Sequence, residues 1–249
     1  MSEQKVALVT GASRNIGRAI ALALARRGYA LACFGRDAEA LQQTASMVRA
    51  LGVPASVFVG DAKSNASLQA FAEHAVHAHG AIDAVINNAG VIVEGRPEAL
   101  TPDEFAETLQ VNLVSQFTLA RAAYAAMCLR GGGVVVNIGS LAGAIAFPRT
   151  AAYCASKAGI DGLTRALAYD WGGDNIRVVC VAPGYVRSDI SKDVLADERK
   201  LDWVLRRIPL RRVAEPEEIG EFVAFLASDA AAFCTGETYY VDGGQRMAI

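Results

Sequence analysis

The sequence predicts a single-domain α/β fold, a doubly wound parallel sheet with helices on both faces. Short runs rich in β-branched residues alternate along the chain with longer Ala/Leu-rich stretches, the pattern of strand–helix–strand units. The short runs are apolar almost throughout, which is typical of parallel strands covered on both faces. The 249 residues contain no linker, repeat or low-complexity stretch, so one domain accounts for residues 1–249.

The first part of the chain alternates strictly between the two kinds of element. It contains predicted strands at 5–10, 30–35 and 55–60, and predicted helices at 15–28, 37–51 and 64–79. Each apolar run is too short for a helix, and each intervening stretch is long enough for one. This order predicts a Rossmann-like sheet whose first strand leads directly into a helix.

The second part continues the alternation with longer helices. The predicted strands are 83–87, 133–139, 176–182 and 237–242, and the predicted helices are 102–130 and 151–171. Residues 187–212 break the pattern because they are rich in charge and lie between strand and helix signals. We interpret this stretch as a mobile segment, a substrate lid over a binding site.

Composition excludes several classes of protein. Hydrophobic residues make up 53% of the chain and the formal net charge is −2. These values argue against a disordered chain and against a general field that attracts nucleic acid or an anionic membrane. No apolar run approaches the roughly 20 residues of a membrane helix, and residues 1–4 do not open a signal peptide. We therefore expect a cytoplasmic protein.

Cysteine and histidine offer weak candidates for metal or redox chemistry. The five cysteines are odd in number and form no CxxC motif, so we expect reduced thiols rather than a disulfide framework or a zinc site. Three histidines cluster on one predicted helix: His74, His77 and His79. A solvated helix surface explains them better than a metal site does, and we predict no bound metal.

The turn after the first predicted strand is suited to a phosphate. TGASRNIG occupies residues 10–17 and leads into a helix, whose N-terminal N–H groups and positive dipole end favour an anion. Gly11 permits the tight turn and Gly17 permits close packing of the helix on the strand. Asn15 stands between them, and Asn tolerates positive φ better than most residues do. An ordinary tight connection is the alternative for the turn alone.

The residues near the second strand favour NADP(H) over NAD. Arg36 ends that strand and Arg14 lies in the first turn; two guanidinium groups suit a 2′-phosphate, whereas an acidic residue would suit the free ribose hydroxyls. Asp37 is expected to cap the next helix. Asp61 is positioned to accept from an adenine amino group, with a role at the helix entry as the alternative. Solvated surface charge is the alternative for both arginines.

A tyrosine and a lysine on one predicted helix form the candidate proton-transfer group. Tyr153 and Lys157 are four residues apart, so they share a helix face. A neighbouring ammonium favours phenolate and would bring the phenol pKa of about 10 toward neutrality. Ser140 follows a strand at its carboxyl end, where its hydroxyl would stabilise charge on a carbonyl oxygen. Asn112 lies inside the long predicted helix despite its low helix preference, which suggests a structural water or a proton relay.

Each of these residues also has an ordinary explanation. Tyr153 and Lys157 would form a half-exposed helix pair, Ser140 would cap a loop, and Asn112 would cap a helix break. A YxxxK match alone carries little weight. The joint arrangement of the four residues is the informative signal, and it indicates acid–base chemistry beside a dinucleotide.

Taken together, the motifs resemble those of the short-chain dehydrogenase/reductase family, over essentially the whole chain and in the same order. The motifs are TGASRNIG (10–17), Asp61, NNAG (87–90), Asn112, Ser140, YCASK (153–157), PG (183–184), IPLRRVAEPEEIG (208–220) and VDGG (241–244). The resemblance implies a catalytic tetrad of Asn112, Ser140, Tyr153 and Lys157. Turn and resemblance together predict the following cofactor-binding residues: Gly11, Ser13, Arg14, Asn15, Ile16, Gly17, Arg36, Asp61, Ala62, Asn88, Ala89, Gly90, Tyr153, Lys157, Pro183, Gly184, Val186 and Ser188.

Two positions depart from the family pattern. Asn15 stands where the family usually has a glycine, and Ser188 stands where it usually has threonine. At the first position, the Asn15 side chain would either crowd the pyrophosphate or donate a hydrogen bond to it. The second keeps the hydroxyl group, so we expect little change there.

The predicted reaction is hydride transfer between NADPH and a ketone, with Tyr153 as the general acid and Lys157, water and Asn112 resupplying its proton. Oxidation of the secondary alcohol would follow the reverse path. The predicted substrate pocket draws on residues 92–97, 141–149, Tyr185 and the 187–212 segment, including Ile92, Val93, Glu94, Arg96, Leu141, Phe147 and Arg149. Because its walls combine apolar and charged side chains, the pocket identifies no single small-molecule substrate.

The resemblance also bears on partners. Some family members reduce 3-oxoacyl groups on acyl carrier protein and carry basic residues near two helix ends. Arg130 suits the first place but Asp174 stands near the second, which disfavours an acidic carrier; a free ketone, diketone or polyol fits equally well. The resemblance implies a homotetramer, and the small residues on 102–130 and 151–171 are consistent with helix pairing or with an intrachain face.

Two other functions share this fold. A non-catalytic NADP(H)-sensing protein would need the phosphate-binding turn but not the tetrad. An isomerase or lyase that recycles its nucleotide would show no net consumption of NADPH. The complete tetrad favours the ketone reductase over the sensor.

Overall fold

A computed structural model describes residues 4–248, and it confirms the predicted doubly wound parallel sheet. The sheet has seven strands in the order β3-β2-β1-β4-β5-β6-β7, with every neighbouring pair parallel. The strands are β1 (Val6–Thr10), β2 (Ala30–Gly35), β3 (Ala55–Val59), β4 (Ala84–Asn87), β5 (Gly133–Ile138), β6 (Ile176–Pro183) and β7 (Thr238–Val241). Each lies within about one residue of its predicted bounds.

Helices cover both faces of the sheet. Their bounds are α1 (Asn15–Arg26), α2 (Ala38–Ala50), α3 (Asn65–His79), α4 (Pro102–Leu109), α5 (Ser115–Leu129), α6 (Ala151–Trp171), α7 (Lys192–Ala196), α8 (Glu198–Arg206) and α9 (Pro216–Ala227). One buried core contains side chains of α1, α2 and α9, and a second, on the other face, contains side chains of α3, α5 and α6. Burial of strand residues on both sides explains their near-continuous apolar sequences.

The strand order reverses between β1 and β4. The chain runs outward from β1 through β2 to β3, and then returns to place β4 on the other side of β1. In open α/β sheets, such a switch point leaves a crevice at the carboxyl ends of the strands, because the connections on either side diverge. The candidate site lies at this edge.

The predicted single helix over 102–130 is wrong. The structure divides it into α4 and α5, with a π-helical segment, Gln110–Val114, between them. Asn112 lies in this segment and is fully buried. Its side chain accepts from the Val91 N–H at 2.8 Å and donates to the Val91 carbonyl at 2.9 Å. These two tertiary hydrogen bonds stabilise a local distortion of the helix that helix preference alone does not predict.

Residues 187–212 contain two short helices, α7 and α8, and pack around a small core of their own. Val204, Ile208 and Val213 are buried there, separately from the two cores on the sheet. Tyr185 and the side chains of α7 and α8 pack against them. The segment is therefore a structured subassembly beside the sheet edge.

Other features concern the thiols and membrane insertion. All five cysteines are free; Cys33 and Cys180 are buried and the other three are partly buried. Within residues 4–248, the helices include none of the length and apolarity that a bilayer crossing requires. Over the same residues, His, Cys, Asp and Glu side chains form no group of three suited to a metal ion.

Candidate active site

A cleft of about 1010 Å³ opens at the carboxyl ends of the strands, on both sides of the switch point. It extends from the turn after β1 to the region between α6 and the 187–212 segment. Every residue of the predicted cofactor-binding set lines it. The volume lies at the upper end of the range for small-molecule and cofactor sites.

The phosphate-binding turn has the backbone geometry that its sequence requires. Gly11 has φ +65° and Asn15 has φ +48°, so Asn15 occupies the left-handed region that Asn tolerates. A Cβ atom at Gly17 would collide with the Gly11 carbonyl, which explains the glycine there. α1 begins at Asn15 without a side-chain cap on its first turn, and its N–H groups remain available to an anion.

The basic residues predicted to select a phosphate lie at this end of the cleft. Arg14 and Arg36 are exposed at its edge. Asp37 caps α2, as predicted, by accepting from the Ala40 N–H at 3.0 Å. Asp61 lines the cleft and accepts from the Lys63 N–H at 2.9 Å, so its carboxylate is held within its own loop at the mouth of the site.

Three of the four predicted catalytic side chains meet in the middle of the cleft. Ser140 follows β5, while Tyr153 and Lys157 are one turn apart on α6. The Lys157 Nζ lies 5.6 Å from the centroid of the Tyr153 ring and donates to the Ile138 carbonyl at 2.8 Å. The strand end thus fixes the position of the amine beside the phenol.

Ser140 is oriented for donation toward Tyr153. Its Oγ accepts from the Ala142 N–H at 3.1 Å, which leaves the hydroxyl hydrogen free for another acceptor. Interaction with the Ser140 side chain also opposes the rise in the pKa of Tyr153. Both side chains line the cleft.

Asn112, the fourth residue, does not line the cleft but lies directly behind it. Its Nδ2 also donates to Ser156 Oγ at 3.0 Å, on α6. Gly90 separates it from the amine: a Cβ at Gly90 would lie 3.3 Å from Asn112 Oδ1 and 3.8 Å from Lys157 Nζ. Asn112 therefore ties the Val91 backbone to α6 behind the cleft.

Burial is the main cause of the shifted pKa values of Tyr153 and Lys157. Desolvation raises the pKa of Tyr153, and the Ser140 hydrogen bond lowers it by a smaller amount. Desolvation also lowers the pKa of Lys157 to about 8, because an ammonium group loses its hydration there. The predicted fall in the phenol's pKa is therefore not seen in the protein alone: burial raises the pKa of Tyr153, and Ser140 opposes that rise only in part.

The remaining half of the cleft has largely apolar walls. Of the residues predicted for the substrate pocket, Ile92, Glu94, Leu141, Phe147 and Tyr185 line the cleft, whereas Val93, Arg96 and Arg149 do not. Phe147 and Tyr185 pack edge to face, with ring centroids 6.1 Å apart. This half suits the body of an organic substrate.

Sequence reasoning did not single out several residues of the 187–212 segment that line the cleft. These are Asp189, Ile190, Ser191, Val194, Arg199, Lys200, Trp203 and Val204. The apolar spacing of Leu201, Val204 and Leu205 within 198–206 would have indicated an amphipathic helix. No sequence signal pointed to Asp189, because its contacts are with residues about 174 positions earlier.

Comparisons with known proteins agree with this geometry. A family model described as "Enoyl-(Acyl carrier protein) reductase" matches residues 11–246. A 3-oxoacyl-[acyl-carrier-protein] reductase of Pseudomonas aeruginosa is 39% identical over 244 residues, which cover 98% of each chain.

Two solved structures show the same architecture. A gluconate 5-dehydrogenase from Burkholderia cenocepacia, in complex with NADP and tartrate, superposes with a TM-score of 0.93 at 33% identity, covering 98% of this chain and 96% of that one. A 7α-hydroxysteroid dehydrogenase, in complex with NADH and 7-oxo glycochenodeoxycholic acid, superposes with a TM-score of 0.93 at 32% identity, covering 96% of this chain and 93% of that one.

Proposed function

The chain belongs to the short-chain dehydrogenase/reductase family, and we propose that it is an NADP(H)-dependent oxidoreductase that interconverts a ketone and a secondary alcohol. The resemblance stated from its motifs is thereby confirmed. One observation supports the reaction above all others: the hydroxyl groups of Ser140 and Tyr153 and the Lys157 amine meet in a cleft that also contains a phosphate-binding turn.

The residues present fit a phosphorylated dinucleotide. Glycines at positions 11 and 17 leave a cradle that a Cβ would fill, and α1 directs its N-terminus at the same place. Arg14 and Arg36 would hold a 2′-phosphate, while Pro183, Gly184, Val186 and Ser188 line the cleft on the opposite side. The relative with bound NADP supports this choice. When bound, the nicotinamide supplies or accepts the hydride.

The protein's own part is to polarise an oxygen and move a proton. A carbonyl oxygen placed between Ser140 Oγ and Tyr153 Oη receives two hydrogen bonds, and Tyr153 transfers its proton as negative charge develops. The buried Lys157 ammonium stabilises the resulting phenolate. Asn112 acts as a positioning residue because it fixes the loop at Val91 beside the amine.

The test is a coupled assay of NADPH and NADH oxidation across ketones, diketones, sugars and acyl thioesters. The proposal predicts net NADPH consumption with at least one free ketone and formation of the secondary alcohol. NADPH binding without turnover on any substrate would favour the sensing protein. Conversion of a substrate without net NADPH consumption would favour the nucleotide-recycling isomerase.

Arg36→Ala tests the choice of nucleotide. We expect the KM for NADPH to rise about 10- to 100-fold, the loss expected for a hydrogen bond to a charged group, while the KM for NADH stays unchanged. Arg26→Ala is the matched control, since Arg26 is exposed on α1 and pairs with Glu221 at 3.2 Å, away from the cleft. Equal increases for the two nucleotides would contradict a contact with the 2′-phosphate.

The proposed assembly is a cytoplasmic homotetramer. Large apolar side chains are exposed on α5 and α6, including Phe117, Leu129 and Tyr169, and such surfaces are typical of subunit contacts. We also propose a free small molecule as substrate rather than an acyl carrier. Arg130 is paired with Asp83 at 3.0 Å, and Asp174 accepts from Tyr124 Oη at 2.7 Å, so neither helix end presents an uncommitted basic side chain.

The 187–212 segment is proposed to be the substrate lid. It lines the cleft with apolar side chains of α7 and α8, and Trp203 and Ile190 are exposed there. Exposed apolar groups that face a cleft are suited to contact with a ligand.

A further inference from the structure

A single carboxylate joins the two sides of the cleft. Asp189 Oδ2 lies 2.9 Å from Arg14 Nε and accepts from Asn15 Nδ2 at 3.0 Å. Asp189 belongs to the 187–212 segment, whereas Arg14 and Asn15 belong to the phosphate-binding turn. All three line the cleft. We refer to these three residues as the latch.

Asn15 supplies the half of the latch that carries no charge. Its φ of +48° is a conformation that glycine adopts freely and that Asn tolerates. A glycine at this position would preserve the turn but would have no group to reach Asp189. The Asn side chain therefore adds a donor toward the opposite side of the cleft without altering the backbone.

The segment that carries Asp189 is held to the rest of the protein by backbone hydrogen bonds at both of its ends. Near the C-terminal end, the Leu210 N–H donates to the Gly243 carbonyl at 3.2 Å. The segment's core of Val204, Ile208 and Val213 is separate from the cores on the sheet. Backbone hydrogen bonds at the base of the segment join Tyr185 and Arg187 to Ala214. Asp189 follows Arg187 by two residues, so the latch lies next to this base and extends the attachment of the segment to the phosphate-binding turn on the other side of the cleft.

We propose that Asp189 is a positioning residue for the cofactor: through Arg14 and Asn15 it holds the 187–212 segment across the cleft and slows the release of the dinucleotide. The proposal rests on the proposed function, because the latch affects release only when a dinucleotide occupies the cleft. The Arg14 contact uses Nε, so the two terminal nitrogens of the guanidinium remain available to a phosphate.

The strength of the latch suits a contact that opens in each turnover. The side chains of Arg14 and Asp189 are 69% and 54% exposed, and exposed ion pairs are weak and screened by salt. Loss of the latch should therefore change a rate several-fold and should leave folding intact. Lid opening and product release limit turnover in many enzymes, so such a change is visible in kinetics.

The test measures NADPH dissociation by stopped-flow fluorescence, with excess NADP⁺ as the displacing ligand. Asn15→Gly removes the neutral hydrogen bond and keeps all charges; Asp189→Ala removes both contacts. We expect both variants to release NADPH about three- to tenfold faster than the wild type. Asp193→Asn is the matched control, since Asp193 lies exposed on α7, in the same segment, outside the cleft lining.

The double variant Asn15→Gly/Asp189→Ala separates a latch from two independent effects. We expect it to release NADPH no faster than Asp189→Ala alone, because Asp189→Ala already removes the contact that Asn15→Gly breaks. Wild-type release rates in both single variants, or an equal acceleration in Asp193→Asn, would overturn the proposal. If wild-type protein turns over NADPH while the variants release it normally, only the latch fails; if wild-type protein does not bind NADPH, the proposed function fails with it.

Discussion

Tyr153→Phe is expected to reduce ketone reduction about 10²- to 10⁴-fold while NADPH binding is retained. The substitution removes only the phenolic oxygen, which the proposed mechanism requires as the proton donor to the substrate. The ring stays in place beside Lys157, so the shape of the cleft is preserved. Steady-state turnover and NADPH fluorescence titration measure the two effects separately.

Tyr185→Phe is the matched control for this change. Tyr185 presents a second phenol to the same cleft, but it packs against Phe147 and the segment core, away from the lysine. We expect it to retain most of the turnover. Retained turnover in Tyr153→Phe would remove that residue from the role of general acid.

Lys157→Met is expected to lower ketone reduction about 10²- to 10³-fold and to abolish its pH dependence above neutrality. Burial lowers the pKa of Lys157 to about 8, so the side chain is an ammonium below this pH and a neutral amine above it. Only the ammonium stabilises the phenolate that forms as Tyr153 gives up its proton. Wild-type kcat/KM for reduction should therefore fall as pH rises through about 8.

The pH profiles of the wild type and Lys157→Met, measured over the same range, test this assignment. The variant should be slow and flat across the transition. Circular dichroism verifies that it is folded, which we expect because methionine fills a buried position without the desolvation cost of an ammonium. A variant that keeps the wild-type decline would show that another group titrates.

The strands could be predicted from the sequence because burial on both faces leaves them apolar throughout. β2, ALACFG, shows this most clearly, since all six of its residues are buried. The helix over 102–130 could not be predicted correctly. Its π-helical segment depends on the contact of Asn112 with Val91, 21 residues earlier. The helix preferences of individual residues carry no information about such a distant contact.

The residues of the candidate site that belong to sequence motifs could be predicted. The turn glycines, the serine that follows a strand and the Tyr–Lys pair at i, i+4 could be placed because their spacing in the sequence determines where each lies in the fold. The electrostatics could not be predicted in this way. Burial of Tyr153 and Lys157 raises one pKa and lowers the other, and burial depends on how the sheet edge, α6 and the 187–212 segment close around the pair.

The most direct test of the proposed mechanism is a crystal structure of the protein with NADP⁺ and the secondary alcohol found in the substrate assay. The alcohol oxygen should lie within about 2.6–3.2 Å of Tyr153 Oη, with Ser140 Oγ also in hydrogen-bonding contact and the reacting carbon facing the nicotinamide. An alcohol bound in the cleft with its oxygen away from Tyr153 would contradict proton transfer by that phenol.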